Sequence, residues 1–219
     1  MAVVNIVDLV SDPERWRWGH RTETTMNLFY YPAACSLADH IALIETGLPY
    51  KLLGITHEKK TEDGRDFLSL NPKGYIPALE LDDGTILTEN QVILAYIAEQ
   101  SGKLLPKDGI LKWRTLEALA FMSSEIHGNY NPFFKDFPEP EKVRAREKLK
   151  KAFALLADQM GDKAFLVNNE MTIADCYLFW VLMATPRSGL AVPKNLQDCF
   201  ERMKAIPSVI QALTEEGLI

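Results

Sequence analysis

Residues 27–47, NLFYYPAACSLADHIALIETG, decide how this chain folds. Asn27 to Tyr31 predicts a short apolar strand, Pro32 to Ala34 a tight connection, and Ser36 to Thr46 a helix closed by Gly47 at its C-terminal cap. Cys35 then stands at a helix N-terminus. There, unpaired backbone N–H groups and the positive end of the helix dipole favour an anion, so thiolate is expected over thiol. A free cysteine titrates near roughly 8.5, and helix-start cysteines fall to about 3.5–7.5. A lone cysteine also has a plainer reading, as a small buried hydrophobe. Strand, turn and helix start all converge on Cys35, which puts the reactive thiol ahead. Pro32 lies three residues before Cys35 and Ala38 three after, so no local dithiol pair exists. Redox turnover would need an outside thiol.

Working outward, Tyr50 to Ile55 reads as a second strand and residues 59–64 as a polar connection. Asn71-Pro72-Lys73-Gly74 is a turn, Ile76 to Leu81 resumes as strand, Asp82-Asp83-Gly84 turns, and Thr85 to Leu87 returns as a hairpin. A helix follows from Asn90 to about Gln100, with Val92, Ile93, Tyr96 and Ile97 as its apolar stripe. This β-α-β-α-β-β-α order is that of a thioredoxin-like α/β domain, residues 26–100. Residues 101–109 form a linker, and 110–219 read as an all-helical domain. Leu149, Ala152, Phe153, Leu156 and Met160 keep helical spacing within a helix over 141–160. Ile173 to Ala184 is apolar nearly all round and predicts a central helix, opened by a Thr172/Asp175 capping box with Met171 and Cys176 placed as a hydrophobic staple. Cys176 is expected in the core.

Residues 1–25 share no pattern with the strand at Met26 or the chain beyond it. They lack a basic n-region and are expected to be a disordered tail or an upstream reading of the start; a docking segment using Trp16 and Trp18 is the alternative. With a net charge of −6 and a pI near 5.3, the chain does not invite nucleic acid or anionic membrane as a whole. No run approaches the roughly 18 apolar residues of a membrane helix. Cys35, Cys176 and Cys199 are odd in number and lack metal-ligand spacing, so neither a disulfide framework nor a metal site is expected. A reducing, cytoplasmic location fits.

The stretches YYPAACSLADHIAL, NPKGYIPALELDDGTILTEN, SEIHGNYNPFF and MTIADCYLF, in this order, resemble glutathione transferases. Over residues 26–219, the NPKGxxP and TIAD motifs resemble the superfamily, and Cys35 with His127 resembles the bacterial beta class. The resemblance implies conjugation of glutathione, a co-substrate rather than a resident cofactor, to a small hydrophobic electrophile. It also implies a homodimer. Cys35 would contact the glutathione sulfur, and His127 would reach the same pocket from the helical domain. Pro77 would be a cis-proline turning the Ile76 backbone toward the ligand. Glu89 and Asn90 would receive the γ-glutamyl end, Lys60 the glycine carboxylate, and Ser124 would shape the site across the dimer, with Tyr30 near the sulfur. Two positions depart from the pattern: Gly128 replaces a basic residue and Ala120 an asparagine. Two other activities share the fold: a glutathione-dependent disulfide reductase with Cys35 as nucleophile, and a non-enzymatic binding protein like the starvation protein that binds RNA polymerase.

Overall fold

The computed structural model describes residues 25–135 and 137–219; the expectations for residues 1–24 lie outside the described residues. Strand β1 (Met26–Tyr30) leads into α1 (Ser36–Thr46), β2 (Tyr50–Gly54), α2 (Phe67–Leu70), β3 (Ala78–Glu80), β4 (Ile86–Thr88) and α3 (Asn90–Ser101). The sheet order is β2-β1-β3-β4. β1 and β2 run parallel, with Leu28 opposite Leu52, while β3 is antiparallel to both β1 and β4. Alternation along β1 sends its side chains to two faces. Leu28 joins the main core with α1 and α3, and Phe29 packs under α2 with Ile55, Phe67 and Ala78. The domain is thioredoxin-like, and the helical remainder completes the expected fold class.

Gly47 closes α1 as expected, at φ 74° with its N–H bonded to the Leu43 and Ile44 carbonyls. That conformation is open to glycine at no steric cost. On α3 the buried set is Ile93, Leu94, Ile97 and Ala98, so the apolar face is rotated from the expected stripe and Val92 is exposed.

The second part holds α4 (Gly109–Phe121), a π-helical turn (Met122–Ile126), a 3-10 turn (His127–Tyr130), α5 (Asn131–Phe134), α6 (Glu139–Met160), α7 (Ile173–Ala184), α8 (Lys194–Lys204) and α9 (Pro207–Glu215). All of α7 except Met183 is buried, and α1 packs against it. The main core thus runs from α1 and α3 through α7 into α6 without a break. The capping box at the start of α7 is formed: Asp175 accepts from Thr172 N at 2.8 Å, and its other oxygen accepts from Leu166 N at 2.8 Å. Burial pushes the Asp175 carboxyl up to about 6 despite these donors. Cys176 and Cys199 are core residues.

Candidate active site

A cleft of about 330 Å³ opens between the two parts of the molecule. From the sheet side come Cys35, the Ile76–Pro77 peptide, Glu89 and Asn90; from the helical side comes His127. Six of the nine residues expected at the site are therefore brought together.

Cys35 sits just before α1, but its thiol does not behave as that position alone predicts. The N–H groups of Cys35 and Ser36 pull the thiol down, whereas burial and the neighbouring Asp39 push it up, and the net result is about 12. Desolvation outweighs the helix start. The expectation of a standing thiolate is corrected: burial favours the thiol form, whose Sγ donates to Ile76 O at 3.6 Å. The Ile76–Pro77 bond is cis, as expected.

Glu89 precedes α3 with φ 72°, a conformation costing a non-glycine residue about 1–3 kcal/mol. Its carboxylate is held by Lys73 Nζ at 2.7 Å, and the same ammonium donates to Thr88 Oγ1 at 2.9 Å. Asn90 is not the N-cap that its residue type invites. Glu89 takes that place, and the Asn90 amide turns inward to donate to Cys35 O at 2.7 Å and Asp39 Oδ2 at 3.0 Å.

Across the cleft, His127 Nδ1 lies 2.7 Å from the Tyr177 hydroxyl, and its ring packs 4.5 Å from that of Trp180. Burial lowers the imidazole's affinity for a proton, so the neutral ring is favoured. Trp180 stacks on Tyr177 and its indole N–H donates to Ala33 O at 3.2 Å, tying the helical wall to the turn before Cys35.

Three expected residues lie elsewhere. Lys60 is exposed and 3.8 Å from Asp66. Tyr30 ends β1 on the face of Leu28, beside Gly54, and burial with nearby Glu216 raises its hydroxyl. Ser124 is exposed, and its neighbour Ser123 lines the cleft instead. Across the π-helical turn Met122–Ile126, which carries more residues per turn than an α-helix, it is Ser123 that lines the cleft of this chain. Sequence reasoning also passed over Lys73, although the NPKG turn contained it, and Tyr177, which reads as one more apolar position of α7. With Ser123, Asn131 and Lys135 beside His127 and Tyr177, the helical wall is more polar than an apolar substrate cleft implies. Among the described residues no cluster could hold a metal ion, and no helix is long and apolar enough to cross a membrane.

A thioredoxin-like domain and a helical domain that close a cleft over a cysteine and a cis-proline define the glutathione transferase fold. Comparison with known proteins agrees with this fold. The glutathione S-transferase N-terminal domain matches residues 34–100 and the C-terminal domain residues 118–207. A glutathione S-transferase of Escherichia coli O157:H7 is 39% identical over 204 residues, covering 88% of this chain and all of the relative. A sphingomonad glutathione S-transferase solved in complex with glutathione is 36% identical, with a TM-score of 0.82 over 88% of this chain and all of the other. A beta-class enzyme of Sphingomonas chungbukensis is 38% identical, with a TM-score of 0.81 and the same coverage. The chain belongs to the glutathione S-transferase family.

Proposed function

We propose that this protein is a beta-class glutathione transferase that conjugates glutathione to small hydrophobic electrophiles, acting as a cytoplasmic homodimer. The observation that carries the reading is the pairing across one cleft of Cys35 and the Ile76–Pro77 edge with His127 and Tyr177. The backbone beside the cis-proline is positioned to pair with the cysteinyl unit of glutathione as a strand would. The first N–H groups of α3 suit the γ-glutamyl carboxylate, and Glu89 suits its ammonium group. Donors at the start of α1 then stabilise the thiolate of the ligand as it develops, while the cleft holds the electrophile within reach. Bound glutathione in the sphingomonad relative supports the ligand, and the Sphingomonas chungbukensis enzyme supports the class. Large apolar side chains left on the surface, Val92 of α3 with Ile110 and Trp113 of α4, support assembly into a dimer.

Conjugation is favoured over disulfide reduction by Cys35 itself. A reductase needs this residue as thiolate, and burial opposes that charge. The two are separated by parallel rates with a chloronitrobenzene acceptor and a glutathione mixed disulfide. Cys35→Ala is expected to keep much of the aryl transfer, because the backbone donors remain, and to lose nearly all disulfide reduction. Equal loss of both would overturn the assignment, and failure to bind glutathione-agarose would point to a binding protein without transferase chemistry. Sedimentation as a monomer at micromolar concentration would refute the dimer.

A further inference from the structure

Among the described residues, two buried side-chain atoms lack a hydrogen-bond partner: Asp39 Oδ1 and Asn90 Oδ1. They belong to side chains already joined through Asn90 Nδ2 and Asp39 Oδ2, 3.0 Å apart. An ionised carboxylate and an amide oxygen are both acceptors, so the charged form leaves two buried acceptors, on side chains already joined to each other, without a donor. One proton resolves both. On Asp39 Oδ1 it creates a donor in the carboxyl already paired with the Asn90 amide, whose own oxygen lacks one. Asp39 is fully buried in α1. The titratable groups that feel its charge are Cys35, just before its own helix, with Cys176 and Tyr177 on α7, none of them a cation. A lone carboxylate there has no compensation for its lost hydration.

We propose that Asp39 and Asn90 share a proton as a neutral acid–amide pair, and that this pair is the device that positions Cys35. The geometry explains why it sits there. Asn90 begins α3, Asp39 lies one turn beyond Cys35 on α1, and the same Asn90 amide holds the Cys35 carbonyl at 2.7 Å. Two helix starts that frame the cleft are thereby locked together. The neutral carboxyl also spares the neighbouring sulfur a buried negative charge, which would oppose any anion formed in the cleft. Burial holds the Asp39 carboxyl well above the ordinary carboxylate range, in keeping with the pair.

Asp39→Asn tests this directly, because asparagine can keep both hydrogen bonds and cannot ionise. The folded protein retains a proton on Asp39 that the unfolded chain releases above about pH 4, so wild-type stability is lost as pH rises from there. Melting temperatures of wild type and Asp39→Asn should coincide near pH 4 and diverge toward pH 7, with the variant higher. A gap independent of pH, or a variant less stable at neutral pH, would overturn the pair. A second measurement uses the wild-type protein with [13C]carboxyl-labelled aspartate. One protonated signal should persist at pH 8, where Asp175 is ionised, and its absence would equally refute the proposal. Positioning is read from alkylation of Cys35 by iodoacetamide at pH 8, with buried Cys176 and Cys199 as internal controls. Asp39→Asn should stay within about twofold of wild type, whereas Asp39→Ala, which leaves the Asn90 amide without this partner, should change the rate about tenfold. Equal rates in all three would show that Asp39 does not position the thiol.

Discussion

Cys35 lies in two opposed fields, and their balance decides what the residue can do. N–H groups at the start of α1 stabilise an anion at its sulfur, while burial resists one more strongly, leaving the thiol at about 12. Iodoacetamide should therefore react with Cys35 far more slowly at pH 7 than with an unburied cysteine, with the rate still rising at pH 9; a plateau below pH 8 would contradict this balance. His127 is a second case of burial acting on charge. Its neutral form is favoured in the fold, so the folded state binds fewer protons there than the unfolded chain. This stability is therefore complete above the unfolded value of about 6.5 and is lost as pH falls through the lowered folded value. His127→Gln should lower the melting temperature at pH 8 and narrow the drop that wild type shows between pH 8 and pH 5. A drop of equal size in both proteins would mean that His127 is not the group responsible. The position of Cys35 was legible in the sequence because strand, turn and cap each have local signatures. The burial that reverses its chemistry was not, since it depends on residues such as Ile76 and Tyr177, which are distant in sequence or anonymous in pattern.

At the level of elements, the most legible helix was α7, whose bounds and capping box both follow from TIADCYLF and its surroundings. Thr172 is 2% exposed, and its side chain takes part in the box with Asp175. Thr172→Ala should cost about 1 kcal/mol, lowering the melting temperature by about 2–4 °C. Thermal unfolding unchanged by this substitution would show the box to be incidental. Less legible was the junction of α4 with the turns after it. The extra residues per turn between Met122 and Ile126 bring Ser123 to the cleft of this chain, and no periodicity in the sequence announces such a break. On α3, Val92 fits an apolar stripe but faces outward, because an apolar residue type alone does not tell a core face from an exposed one.

The whole molecule is tied together at its C-terminal end. Glu216 follows α9, is buried, and accepts from Ala33 N at 3.0 Å while its other oxygen lies 3.1 Å from His40 Nδ1; Glu215 meets the other ring nitrogen at 2.8 Å. Carboxylates from the last helix of the chain thus hold both α1 and the turn before Cys35. Glu216→Ala leaves a buried histidine and a backbone N–H without this partner and should cost about 3–5 kcal/mol. Conjugation should fall along with stability even at temperatures where the variant remains folded. Full activity at 15 °C in a destabilised variant would separate the anchor from the site. This long-range tie was invisible in the sequence, where EEG near the end reads as a polar helix terminus.

The indole of Trp180 offers an optical use of the same architecture. It is 3% exposed, stacks on Tyr177, touches His127 and holds the Ala33 carbonyl, whereas Trp113 is largely exposed. Replacing Trp16, Trp18 and Trp113 by phenylalanine would leave one fluorophore packed directly behind His127 and Tyr177 of the cleft. Its emission should be blue-shifted in the free protein and should change in intensity as glutathione enters, giving a titration signal that needs no label and no turnover.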